Sequence, residues 1–397
     1  MNEETTPPAQ TPVLIDGQPV SDLFKRILRD KRVVISCGSG GVGKTTTSAA
    51  LGLFAALSGQ RVLVLTIDPA RRLANALGLE SFGNTAKKVS LDALGLVPAQ
   101  GGSLSAMMLD MKQTFDDMVA DYATHPGDLE RIRQNRLYRS MSQALAGIQE
   151  YMAVAKLYEV LEKNDYDLIV LDTPPTSHAL DFLDAPRRFV DFLDHDALQW
   201  LIKSTASAGK LSFRLLDVGS SYIMKTLGRL SGVDILREIG EFVSSFYPLF
   251  LGFKDRSEKI AQLLVSRDLG FLVVSAPSGP QVDEALFFHR KLLHEGLRPQ
   301  SVIVNRLHHA LGEDATDASA LAALETLFGN DVLAKAAMQA GLEHNELVTA
   351  EQTQLRRLKA EVEVHAPVCG VYELEEDVHS LKGLFAMGKQ IFLKSAD

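Results

Sequence analysis

Cysteine is scarce in this 397-residue chain, which has two, Cys37 and Cys369. So distant a pair gives neither a disulfide framework nor the Cys-x-x-Cys spacing of a structural metal site, and it fits a reducing compartment. The expected location is the cytoplasm. A basic excess is lacking too. With 41 Lys and Arg against 50 Asp and Glu and a net charge of -9, the composition argues against constitutive nucleic-acid binding, which needs cations to neutralise phosphates. No apolar run approaches the about 18 residues that a spanning helix requires. Stretches such as Phe246 to Phe253 are far shorter, so at most a peripheral membrane contact is expected. The opening residues, MNEETTPPAQTP, are acidic and rich in Pro and Thr, unlike a secretory signal. Residues 1–12 are expected to form a disordered tail.

What the chain does have is apolar material, 46% by count, enough for two or three average domains or one large α/β domain with an insertion. Short β-rich runs recur at 32–37, 61–67, 104–109, 167–171, 270–275 and 301–305. They lack polar alternation, as strands buried on both faces of a parallel sheet do. The expected class is α/β, a parallel sheet flanked by helices. Two long stretches with helical periodicity interrupt it. The expected organisation is a core of residues 13–110, 164–190 and 268–397, with 111–163 and 191–267 forming an inserted helical subdomain. No internal repeat is present.

The most specific motif runs Gly38, Ser39, Gly40, Gly41, Val42, Gly43, Lys44, Thr45, followed by Thr46. It lies between a strand-like Val33–Cys37 and an Ala/Leu-rich helical pattern, the context that G-x-x-x-x-G-K-[ST] requires. Glycines let successive N–H groups turn inward toward phosphate oxygens, and the following helix adds partial positive charge at its N-terminus. Lys44 brings a point charge to the β/γ-phosphates, and the Thr45 hydroxyl is placed to ligate Mg²⁺.

Two acidic segments follow. Asp68, in Leu65-Thr-Ile-Asp68-Pro-Ala-Arg71-Arg72, ends a buried strand, where ligands of parallel sheets gather. It either orients the attacking water or caps the next helix; both readings stay open. Asp172, in Leu168-Ile-Val-Leu-Asp172-Thr-Pro-Pro, ends an apolar strand in the Walker B manner, near Mg²⁺ directly or through water. Beyond the stiff prolines, His178 reads as a polar helix start or as a switch relay. Asn305, on its residues alone, reads first as the polar end of a strand.

Together these residues resemble the ArsA/Get3 family of deviant P-loop ATPases, which includes arsenite-pump ATPases and targeting factors for tail-anchored membrane proteins. GSGGVGKTT is similar to the family's G-K-G-G-V-G-K-T-T, DPARRLAN to its D-P-A-H-N-L-S-D, and DTPPTSHALDFLDAP to its D-T-A-P-T-G-H-T-L-R. The likeness runs over nearly the whole chain after the tail, and is closest to bacterial paired paralogues from actinobacteria. The resemblance implies ATP and Mg²⁺ as cofactors, Asp68 positioning hydrolytic water, and Asp172 on the Mg²⁺ side. It also implies an adenine contact by Asn305 and a loop from Pro367 to Leu374 that completes the base pocket. Finally, it implies a dimer whose nucleotide cycle handles a hydrophobic or membrane-bound client.

The departures matter as well. The family's signature lysine, which reaches across the dimer to the partner's ATP, is Ser39 here. This favours pairing with a paralogue that keeps the lysine over a homodimer, and it makes a weakly hydrolysing scaffold an alternative. Arg71 and Arg72 either supply compensating charge or form a solvated helix start. Cysteine-based metalloid or zinc binding cannot be built from Cys37 and Cys369. Phe242, Phe246, Phe250, Met224, Leu227, Leu230 and Trp200 line a client groove or fill a core. A ParA/MinD-like positioning ATPase is the other rival. It lacks support in the basic content of residues 383–397, where only Lys389 and Lys394 occur.

Overall fold

The computed structural model describes residues 14–15, 18–67, 72–79, 83–99, 101–122, 149–173, 181–193, 252, 254–312 and 318–393. The chain divides into two compact units. The first comprises Met1–Met108, Asp165–Ala179 and Arg267–Asp397, and the second Leu109–Asn164 and Leu180–Ser266.

In the first unit the strands are β1 (Leu14–Ile15), β2 (Gln18–Pro19), β3 (Val33–Cys37), β4 (Arg61–Thr66), β5 (Lys87–Lys88), β6 (Ser103–Met108), β7 (Leu168–Asp172), β8 (Leu269–Ser275), β9 (Ser301–Leu307) and β10 (Val368–Tyr372). The last eight form one sheet in the order β10-β9-β8-β3-β7-β4-β6-β5, parallel except for β5 against β6. The α/β class expected from the sequence is thus the observed one. Strands β3, β7 and β8 are buried at every position. That is why they read as unbroken apolar runs: helices cover both faces of a parallel sheet.

Among the described helices, in chain order, are α1 (Asp22–Asp30), α2 (Lys44–Leu57), α3 (Arg72–Ala76), α4 (Met111–Tyr122), α5 (Gln149–Lys163), α6 (Asp181–Leu193), α7 (Gly279–His294), α8 (Ala318–Phe328), α9 (Asp331–Val362) and α10 (Leu381–Phe392). Helix α2 is buried throughout except at Thr45 and Thr46. A helix apolar on all sides belongs in an interior, and α2 packs against the sheet and α10. Phe54 of α2 stacks on Phe385 at 5.3 Å, while Phe24 of α1 meets Phe392 at 5.1 Å. Truncating Phe54 to Ala would remove about 3–5 kcal/mol of stability, as for other large core residues. This packing fixes α2, and therefore the loop at its N-terminus, against the sheet.

In the second unit α5 buries Tyr151, Met152 and Val154. Its polar groups are matched locally: Ser257 Oγ donates to the Tyr151 hydroxyl at 2.9 Å, and Arg256 donates to the Ala155 carbonyl at 3.1 Å. Burial without such partners would be unfavourable. Residues Phe242, Phe246, Phe250, Met224, Leu227, Leu230 and Trp200 lie outside the described residues.

Strand register sets the level of the site. Ser36 of β3 pairs with Asp172 of β7, and Thr66 of β4 pairs with the same Asp172. The carboxyl ends of these strands therefore finish at one height, the position where parallel sheets hold ligands.

Candidate functional site

The chain leaves β3 through Gly38, whose φ is 150 and where a side chain would run into the Val274 carbonyl of β8. Gly43 caps α2 in the left-handed region, φ 99, with no side-chain cap bond. The space its Cβ would need is filled by the Asn305 amide. Only glycine meets both conditions at each position. The first N–H groups of α2 have no partner within the helix by construction, and with the helix dipole they make an anion seat.

Four polar side chains meet at that seat. Lys44 is 6% exposed and donates from Nζ to the Ser39 carbonyl at 2.7 Å across the loop. Thr45 Oγ1 donates to Asp172 Oδ2 at 2.8 Å, and Thr66 Oγ1 donates to the same oxygen at 2.9 Å. Asp172 itself is fully buried. Behind it, Thr173 Oγ1 donates to the Ser36 carbonyl at 2.8 Å, tying β7 to β3 as the strands end.

A cavity of about 570 Å³ opens from the loop, within the usual range for small-molecule sites. Gly41, Gly43, Lys44, Thr45, Thr46 and Thr173 form part of its lining. Asn305 and Arg306 of β9 and Tyr372, Glu373 and Leu374 form another part, with Arg72 and residues 376–379. Asn305 donates from Nδ2 to the Val42 carbonyl at 2.9 Å, so β9 and the loop are joined directly. Arg306 follows with φ 64, a backbone conformation uncommon outside glycine.

Of the residues singled out in the sequence, Gly41, Gly43, Lys44, Thr45, Thr46, Asn305 and Leu374 line this cavity. Asp172 reaches it through Thr45. Val42 is buried, Gly40 is exposed, and Ser39 contributes its carbonyl to Lys44. Arg72 lines the cavity, whereas Asp68, Arg71 and His178 lie outside the described residues. The expected loop from Pro367 to Leu374 needs correction: Val368–Tyr372 is strand β10, paired parallel to β9. Its Gly370 and its half-exposed residues hid the strand pattern. Sequence reading did not single out Thr66, Thr173 or Arg306. Thr66 comes to Asp172 only through the pairing of β4 with β7.

The donor set suits a Mg-nucleotide. Hard hydroxyl and carboxylate oxygens meet at Thr45 and Asp172, and Mg²⁺ takes few protein ligands, filling its shell with water and phosphate. Among the described residues no cluster of three or more His, Cys, Asp or Glu is arranged to hold a metal by itself. Thiol chemistry is disfavoured. Burial pushes the Cys37 thiol up to about 12, with the Lys44 charge only partly opposing it.

A family model described as anion-transporting ATPase matches residues 31–327. The ATPase GET3 of Malassezia globosa is 33% identical over 180 residues, 45% of this chain and 49% of that protein. The ATPase get3 of Aspergillus terreus is 31% identical over 181 residues, 45% of this chain and 50% of that one. The ATPase GET3 of Chaetomium globosum is 26% identical over 294 residues, 74% of this chain and 78% of that protein. The chain thus spans about half the length of the first two relatives and 78% of the third. With the phosphate loop, its strand and its helix inside the matched region, the chain belongs to the anion-transporting ATPase family, the ArsA/Get3-type P-loop ATPases.

Proposed function

We propose that this protein binds Mg-ATP in the cavity beneath β9 and hydrolyses it, and that the nucleotide state drives the handling of a hydrophobic or membrane-bound client in the cytoplasm. The observation that carries the reading is the convergence of Lys44, Thr45 and Asp172 on the N-terminus of α2, with Thr45 Oγ1 at 2.8 Å from Asp172. Bound Mg²⁺ would neutralise charge on the β- and γ-phosphates. In this reading the loop amides and Lys44 hold the phosphates. The Thr45 hydroxyl and the Asp172 carboxylate orient the metal's shell, and Thr66 holds that carboxylate in place. Asp68 positions the attacking water, and Asn305 meets the adenine.

The bond between Asn305 Nδ2 and the Val42 carbonyl bears on the base. It uses one amide N–H and fixes which way the amide faces, leaving one N–H and Oδ1 for the ligand. Adenine presents the complementary acceptor and donor at N1 and N6. Guanine presents the reverse pattern and would need the amide flipped, at the loss of the Val42 bond.

A second reading rests on Ser39, which gives Lys44 only a carbonyl and adds no charge of its own. It makes the chain one half of an unequal dimer, binding ATP but hydrolysing slowly until a paralogous ATPase supplies a cation. Titration calorimetry with ATP, joined to turnover assays with and without such a paralogue, tests both. Affinity for Mg-ATP weaker than about 1 mM would overturn the nucleotide reading. Full turnover by the isolated homodimer would overturn the unequal pair.

A further inference from the structure

Beside Glu373 in the cavity lining, a histidine stands between two carboxylates brought together from distant parts of the chain. His308 follows β9. Its Nδ1 lies 2.7 Å from Glu351 Oε1 of α9, and its Nε2 lies 2.9 Å from Glu373 Oε2, just beyond β10. Its backbone N–H donates to Glu351 Oε2 at 2.9 Å. Glu351 is 6% exposed by side chain and Glu373 is 51% exposed. A neutral imidazole has one N–H, yet both ring nitrogens face ionisable oxygens that accept. Full bonding on both sides therefore requires the doubly protonated ring. Glu373 lines the cavity, and the segment it opens continues along the wall through residues 376–379.

We propose that His308, as an imidazolium, staples the segment after β10 to α9 and so positions the part of the nucleotide cavity's wall that this segment supplies. The inference rests on the nucleotide reading of that cavity. His308 is a positioning residue: the pocket is lined by Glu373 and its neighbours, not by His308. The groups facing it among the described residues are Glu351 and His344 from α9, Glu373 from beyond β10, and its own neighbour His309. The His344 ring lies 5.6 Å away, edge-on, and donates from Nε2 to the His309 carbonyl. Together the two carboxylates hold the His308 pKa above its ordinary value, Glu351 contributing most. On deprotonation the remaining proton stays on Nδ1, where Glu351 is nearer and more buried. Nε2 then turns a lone pair toward the Glu373 carboxylate, and the wall is released.

The test is Mg-ATP affinity of the full chain from pH 6 to 9, in wild type, His308→Ala and Glu373→Gln. Wild-type affinity is expected to fall roughly two- to fivefold as pH rises, the range of an exposed ion pair. His308→Ala flattens the profile at the weak end. Glu373→Gln flattens it at the tight end, because an amide both donates to and accepts from Nε2. Glu373 is half exposed, so its substitution leaves the fold intact even if the alanine variant misfolds. Equal slopes in all three proteins would overturn the staple. Hydrogen exchange of amides 373–379 in nucleotide-free protein, corrected for intrinsic rates, reads the staple independently of ATP. Faster exchange at high pH in wild type but not in Glu373→Gln supports it, and a pH-independent wild type rejects it. Absence of ATP binding at every pH would fail the nucleotide reading alone.

Discussion

Two parts of the cavity lining are built by different means. On the phosphate side one continuous segment, residues 38–46, does most of the holding through its backbone angles and helix N-terminus, with Asp172 and Thr173 added from the end of β7. The lining from β9 and the segment after β10 is made of side chains, supported by bonds such as His308 to Glu351 of α9, 43 residues apart. A site assembled from backbone tolerates little substitution but is insensitive to pH, since amides do not titrate in the physiological range. One assembled from side-chain ion pairs is adjustable by protonation and softer. The rigid lining suits a part of the ligand common to all nucleotides, and the softer lining suits the part that differs or that must be released.

The largest way to break this contrast is at Lys44. Lys44→Ala removes the only lysine lining the cavity among the described residues and is expected to weaken Mg-ATP binding by about 3 kcal/mol, roughly a hundredfold. Calorimetry reads it; a loss below threefold would show that backbone amides alone suffice. Gly43→Ala comes next. The residue's φ of 99 and the Asn305 amide in the way of a Cβ both oppose it. A stability loss of about 1–3 kcal/mol is expected from the strained conformation, together with weaker nucleotide binding. A chemical melt unchanged from wild type would remove the strain argument. Asn305→Ala tests the junction of the two parts. It is expected to lower stability by about 1 kcal/mol through the lost Val42 bond, and to narrow the preference for ATP over GTP. An unchanged preference would place base selection elsewhere.

The same contrast explains what was legible in the sequence. Strand β3, the loop and α2 were readable because their requirements are local: an apolar run, glycines where φ is positive, and an Ala-rich helix. Asp172 was readable because it ends an apolar run, and the structure does bring it to Thr45. That Thr66 shares its carboxylate follows from the pairing of β4 with β7, and pairing partners leave no mark in either strand. Strand β10 reads as a loop in the sequence because Gly370 and partial exposure blur its alternation. The Glu351–His308–Glu373 arrangement has no periodicity at all. It exists only because β9, β10 and α9 are neighbours in the fold.

Acid and alkali provide the gentlest way to sharpen the comparison, because two histidines of the first unit pull in opposite directions. His289 on α7 is fully buried, and neither ring nitrogen has a hydrogen-bond partner among the described residues. Burial pushes its pKa below the ordinary 6.5, and His365, 5.4 Å away ring to ring, adds to the shift. The unfolded chain therefore binds the proton more readily, so stability due to a neutral His289 is complete above pH 6.5 and is lost as pH falls toward the lowered folded value. For His308 the folded value is raised, so its contribution is complete below 6.5 and is lost as pH rises through that folded value. His289→Leu replaces an unpaired polar ring with an apolar side chain, which leaves stability near neutral pH little changed or higher. It should abolish the acid-side loss, a shift of roughly 0.3 M in the urea midpoint between pH 7 and 5.5. The alkaline-side loss should persist in that variant and disappear in His308→Ala. An acid-side slope that survives in His289→Leu would assign it to the carboxylates and leave the alkaline slope as the only histidine signature of the fold.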